Sequence, residues 1–153
     1  MLRNSNSASD DRDSVRREVI KNGKNGRSAD KQKVTILVVD DDETNLTVAR
    51  SLLEADGFAV VTATDAMSTF DVLKDVDPAL ILMDIQLPGM DGWELTRRLK
   101  KNVVTSHIPI IAVTAYGNNG DAERARAAGF VEFVAKPVST RDLPSIIRKH
   151  VGR

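Results

Sequence analysis

Three consecutive aspartates, Asp40, Asp41 and Asp42, follow one aliphatic run of the chain, and a fourth, Asp84, follows another. Two further apolar runs end in Thr114 with Ala115 and in Lys136 with Pro137. Carboxylates gathered near a core repel one another and raise their own pKa values, which invites a hard cation bound through oxygen. Magnesium suits such a place: it takes one or two carboxylates, keeps several waters and accepts phosphate oxygens. Lys136 adds a positive charge and Thr114 a hydroxyl donor. A carboxylate nucleophile, a metal, a cation and a hydrogen-bond donor are together the parts needed to move a phosphoryl group onto a carboxylate. Asp84 is the best nucleophile, because the apolar ALILM before it fixes it on a buried strand while the loop IQLPGMDG opens after it.

These residues need a scaffold that brings distant parts of the chain to one edge. The runs VTILVV (34–39), FAVVTA (58–63), ALILM (79–83), IPIIAV (108–113) and VEFVA (131–135) predict five strands. Helical patterns lie between and after them, near 44–56, 66–75, 91–101, 119–128 and 140–150, with Leu143, Ile146, Ile147, His150 and Val151 at helical spacing in the last. Gly57 and Gly129 fall where helices end and the chain turns back into a strand. Regular alternation of strand and helix implies a doubly wound α/β domain with a parallel sheet. In such sheets ligands bind outside the carboxyl ends of the strands. Every residue singled out above sits at one of those ends.

Composition narrows the classes further. A chain of 153 residues suits one domain and a tail. It has no cysteine, which excludes disulfide frameworks, thiolate metal sites and cysteine nucleophiles, and its two histidines, His107 and His150, cannot build a histidine-rich site. No apolar run approaches the roughly 20 residues that span a bilayer, and the N-terminus lacks the apolar core of a secretory signal, so a soluble, cytoplasmic protein is expected. The 22 basic and 22 acidic residues balance, but residues 1–33 hold nine Lys/Arg against five Asp/Glu (net +4), leaving thirteen against seventeen (net −4) for residues 34–153. Residues 1–33 have too few apolar side chains to offset the entropy of ordering, so they read as a disordered basic tail before a domain over 34–153. A short helix around Val15, Val19 and Ile20 would give the tail a docking role, and its basic charge would suit nucleic acid or anionic lipid, against the plainer and favoured reading of a solvated extension.

The segments ILVVDDDETN, LILMDIQLPGMDGWEL, IIAVTAY and FVEFVAKPV, in that order, resemble the receiver domain of bacterial two-component response regulators, of the single-domain, phosphorelay type. The resemblance covers residues 34–151 and implies a flavodoxin-like five-stranded parallel sheet of order 2-1-3-4-5. It makes Asp84 the phosphoacceptor and Asp41 a direct Mg²⁺ ligand, with Asp40 holding metal-bound water and the main-chain carbonyl of Gln86 completing the protein ligands. Thr114 and Lys136 would contact the phosphoryl group, and the Lys136–Pro137 bond would be cis. The implied donor is a phosphohistidine of a sensor histidine kinase or histidine phosphotransfer protein, and the implied output is altered binding of a downstream protein, without DNA or membrane binding. The resemblance thus implies a phosphoacceptor regulatory domain with self-catalysed transfer and slow autodephosphorylation. Partner docking is expected through Asn45, Leu46 and Ala49 with the Pro137 loop. Tyr116, at the pocket mouth, is expected to hinder the attacking water. Phe133 reads either as core packing or as an aromatic that follows movement of Thr114.

Plainer readings apply to some of these residues. Asp42 reads as a helix N-cap, Trp93 as a packing residue, and Pro88 and Gly92 as loop geometry and helix entry without chemistry. Two other settings use the same chemistry: a receiver cut from a larger hybrid kinase, and a haloacid-dehalogenase-like phosphatase. The second needs a DxDx[TV] block after the first strand, which DDDET does not supply well. A phosphate-cradling nucleotide module has no GxxxxGK[ST] loop to support it. A degenerate receiver that is never phosphorylated is disfavoured because every pocket position is filled.

Overall fold

The computed structural model describes residues 33–115, 119–136 and 142–152, with only the main chain for residues 119–122. The expected tail, apart from Lys33, therefore lies outside the described residues. From Val34 onward the chain alternates β1 (Thr35–Val39), α1 (Glu43–Ala55), β2 (Ala59–Ala63), α2 (Ala66–Asp75), β3 (Leu80–Asp84), α3 (Gly92–Lys101), β4 (Ile110–Thr114), α4 (Asn119–Ala128), β5 (Glu132–Ala135) and α5 (Leu143–Val151). The five strands form one parallel sheet in the order β2-β1-β3-β4-β5. The strands begin one or two residues later than the apolar runs, and β3 and β4 continue through Asp84 and Thr114 because those residues still pair, with Val113 and Ala135.

Strand alternation sends successive side chains to opposite faces, and both faces are covered. Ile36, Val38, Leu80, Leu82, Ile111 and Val113 join Leu46 and Leu53 of α1 and Leu143 and Ile147 of α5 in one core. Leu37, Val39, Ile81, Met83, Ile110 and Ala112 join Ala66 of α2, Leu95 and Leu99 of α3, and Ala125 and Ala128 of α4 in the other. The unequal division follows from the right-handed crossover rule. The chain steps from β1 outward to β2, then reverses past β1 to β3, β4 and β5, and a reversal of direction requires the connecting helices to change face. The reversal point, between β1 and β3, is where a doubly wound sheet opens its ligand crevice.

Local signals set the helix ends. Asp42 caps α1, its Oδ1 accepting the N–H groups of Thr44 at 2.8 Å and Asn45 at 3.4 Å. Gly57 and Gly129 adopt φ of 95° and 111°, a left-handed backbone that lets the chain leave α1 and α4 for the next strand. Arg148 of α5 pairs with Asp56 at the end of α1, tying together the helices of one face. On the edge strand β2, Ala59 donates to the Val34 carbonyl, so the alternate residue Val60 turns its carbonyl outward, where Arg50 Nη1 donates to it at 3.2 Å. Among the described residues no helix is long and apolar enough to cross a membrane.

The start of α2 carries a capping box in which Asp65 accepts from the Ser68 N–H at 2.8 Å and the Ser68 hydroxyl accepts from the Asp65 N–H at 3.2 Å. The Ser68 N–H, then the Ser68 hydroxyl, hold the Asp65 carboxyl below its ordinary pKa. A depressed folded-state pKa gives stability that is present above the unfolded value and lost as pH falls through the folded one. Asp65→Asn, which keeps a capping oxygen but does not titrate, is expected to flatten the fall of melting temperature below about pH 4, measured by thermal unfolding at stepped pH.

Candidate functional site

The pairing register assembles the site. Val39 lies opposite Met83, so the next residues, Asp40 and Asp84, emerge side by side from β1 and β3. Thr114 closes β4 opposite Ala135. The Lys136 N–H then donates to the Thr114 carbonyl at 2.7 Å, which anchors the root of the lysine at the same edge. Asp40, Asp84 and Thr114 are all buried, and Asp41 is exposed at the rim.

The side chains converge on one ammonium group. Lys136 Nζ lies 3.2 Å from Asp84 Oδ2 and 3.3 Å from Asp40 Oδ2. Asp84 Oδ1 accepts the Gln86 N–H at 3.0 Å. Asp40 Oδ1 accepts the Asp42 N–H at 2.9 Å, and its Oδ2 also accepts the Asn45 Nδ2 amide at 3.1 Å. Burial pushes the Asp84 carboxyl above its usual range; the Gln86 N–H opposes this, the Asp40 charge reinforces it and Lys136 opposes it. Burial acts to lower the Lys136 pKa, but the Asp40 and Asp84 carboxylates outweigh it and the ammonium is held above its ordinary value. Oxygens of Asp40, Asp41 and Asp84 lie within 4.8 Å of one another. Three clustered carboxylates, two of them paired with the one lysine, leave a surplus of negative charge, and the donors are all hard oxygens, so this set fits a divalent cation of the magnesium type.

Asp40, Asp41, Asp84 and Lys136 are thus brought together, with Thr114 at the same edge through its main chain and Gln86 present through its main chain with its side chain exposed. Tyr116 and Pro137, and with them the cis bond, lie outside the described residues. Phe133 is partly buried against the core beneath α2 to α4, on β5 opposite Ala112. Leu46 requires a correction: it is 4% exposed and packed in the core, because the Asp42 cap sets the phase of α1 and turns position 46 inward. The apolar side chains that α1 presents beside the site are instead Val48, Ala49 and Leu52, which with Val38, Leu82 and Leu143 wall a cavity of about 430 Å³ reaching Asp84 and Lys136.

Two residues carry more than their types suggested. Gly92 begins α3, and its N–H donates to the Ile85 carbonyl at 2.8 Å. A Cβ there would come within 2.5 Å of the Asp84 carbonyl oxygen and 2.7 Å of the Ile85 Cα. Glycine is therefore what lets α3 start against the backbone of Asp84. Trp93, next in the chain, packs edge-on to Phe130 at 5.7 Å and beneath the Arg124 guanidinium at 4.2 Å, as a packing residue should. Asn45 holds Asp40, a contact invisible until helix α1 is docked on the sheet.

A family model for the response regulator receiver domain matches residues 36–148. The chain belongs to the response regulator receiver family. Its relatives include the polar-differentiation response regulator DivK of Brucella ovis, 37% identical over 118 residues that make up 77% of this chain and 96% of that protein. Among solved structures, the receiver domain of a sensor histidine kinase from Pseudomonas aeruginosa, with a magnesium ion coordinated in its active-site cleft, is 31% identical with a TM-score of 0.72, covering 80% of this chain and 100% of that one. A CheY-like receiver domain protein from Methanospirillum hungatei is 30% identical with a TM-score of 0.72, covering 79% and 95% of the two chains. The flavodoxin-like receiver fold expected of the sequence is the fold observed.

Two outcomes follow for the receiver site. Removing the cation in Lys136→Met is expected to raise the Asp84 carboxyl pKa further, since Lys136 opposes the upward shift; carboxyl-carbon NMR titration of the metal-free protein reads this directly. Gly92→Ala gains about 1 kcal/mol of helix propensity, but a methyl group against unyielding main chain costs more. A net destabilisation on the order of 1 kcal/mol is expected in urea unfolding.

Proposed function

We propose that the chain is the phosphoacceptor switch of a two-component phosphorelay, in which Asp84 takes a phosphoryl group from a phosphohistidine of a sensor kinase or histidine phosphotransfer protein. The observation that carries this reading is the placement of the Asp84 carboxylate at the open end of β3, beside the Asp40 and Asp41 carboxylates and 3.2 Å from Lys136 Nζ. In the transfer an Asp84 oxygen forms the new O–P bond while the P–N bond breaks and its electron pair returns to the imidazole. Burial disfavours the charged nucleophile, and the Gln86 N–H and Lys136 act against that by favouring its ionised form. Lys136 and the Thr114 hydroxyl are assigned to the phosphoryl oxygens, where fixed donors stabilise developing charge. Asp40, Asp41, Asp84 and the Gln86 carbonyl would hold Mg²⁺, which when bound offsets negative charge shared by the carboxylates and the phosphoryl group.

The product changes the charge and shape of the pocket, so binding of a downstream protein partner becomes the output, with Thr114 and Phe133 as the moving pair and the chain itself working in the cytoplasm. The phosphatase alternative would need a nucleophile on β1. The DDDET segment after β1 does not supply the DxDx[TV] block well, and Asp40 carries a third donor, the Asn45 amide, in addition to a main-chain N–H and the lysine, which Asp84 also has.

The test is incubation with Mg²⁺ and acetyl phosphate followed by intact-mass measurement. A phosphate-sized gain is expected in the wild type and none in Asp84→Asn; equal gain in both, or none in the wild type, overturns the reading.

A further inference from the structure

Asp40 is 6% exposed and held by three donors: its Oδ1 accepts one main-chain N–H and its Oδ2 accepts both the Asn45 amide at 3.1 Å and Lys136 at 3.3 Å. A carboxylate only accepts, so the Asn45 amide must present its NH₂ to Asp40. Asn45 lies in the first turn of α1, whose start is held by the Asp42 cap, so the amide is delivered by a fixed helix end rather than by a mobile loop. The same Lys136 ammonium lies 3.2 Å from Asp84. Asp40 and Asp84 therefore compete for one cation, and Asn45 is the side-chain donor that serves Asp40 alone.

From this arrangement we infer that Asn45 is a positioning residue of the acceptor site. It acts through Asp40, and it rests on the phosphoacceptor reading of Asp84. Its amide keeps the Asp40 carboxylate aimed at the shared oxygen cluster and satisfies it when Lys136 moves toward a phosphoryl group on Asp84. Without the amide, a buried carboxylate loses a donor and holds the lysine more tightly, since unsatisfied buried charge is costly. The lysine is then less free to serve the incoming group, and Asp40 less well aimed at a cation. Position 45 thus tunes both metal affinity and the rate of phosphoryl uptake without touching either ligand.

The experiment uses the full chain, Mg²⁺ alone in calorimetric titration, and acetyl phosphate with mass detection for the uptake rate. Asn45→Ala is expected to weaken Mg²⁺ binding several-fold and slow uptake by about tenfold, the scale of one hydrogen bond to a charged group. Asn45→Leu, closer in volume and also without a donor, is expected to match it and serves if Asn45→Ala does not fold. In an Asp40→Asn background the further loss on adding Asn45→Ala should vanish, because residues acting as one unit are non-additive. Wild-type Mg²⁺ affinity and rate in the folded variants overturn the inference, and so does an undiminished loss in the Asp40→Asn background. The Mg²⁺ titration does not depend on phosphorylation, so a wild type that binds Mg²⁺ yet gains no phosphate strikes the function of Asp84 and leaves the role of Asn45 to be decided by the titration.

Discussion

Asp40 and Asp84 are buried side by side at the ends of adjacent parallel strands and share the ammonium of Lys136. Two carboxylates in such a place repel, and burial alone favours protonating one of them. One lysine lessens that tendency without abolishing it, as the raised Asp84 pKa shows. The surroundings can be understood as a frame that keeps the three groups close in spite of their charge. The sheet register sets the spacing of the aspartates, and the bond from the Lys136 N–H to the Thr114 carbonyl sets the origin of the lysine. The site is consequently short of positive charge by construction, a condition that favours uptake of a cation and of a group whose transfer needs one.

The frame extends outward through contacts with no chemistry of their own. Gly92 lets α3 start against the main chain of Asp84, and Trp93 immediately joins α3 to Arg124 of α4 and to Phe130. On the other face, Asn45 ties the start of α1 to Asp40. Helices α1 and α3 therefore each approach the strand-end aspartates through their first turn, α1 at the Asp40 side chain and α3 at the Asp84 main chain.

The fold was legible because the strands are nearly continuous apolar runs, as burial on both faces demands, and because the helices between them carry caps and terminal glycines. Asp84, Asp40 and Lys136 were legible for the same reason: a polar residue at the end of a buried strand has a predictable place. Asn45 and Gly92 were not. Their importance depends on how closely a helix approaches a strand end, a distance that no local pattern encodes. Leu46 shows the complementary difficulty, since its orientation depends on the rotational phase of α1, which the cap at Asp42 decides.

The guanidinium of Arg50 against the outward carbonyl of Val60 bears on a different matter, the behaviour of many copies at once. A parallel sheet ends in strands whose main-chain groups are ready to template another strand. With Val60 already bonded to a charged side chain, a foreign strand can extend the sheet from β2 only by first displacing an arginine. Crowded copies of the chain are thereby discouraged from zipping together along this border, and β2 is kept as an end to the sheet.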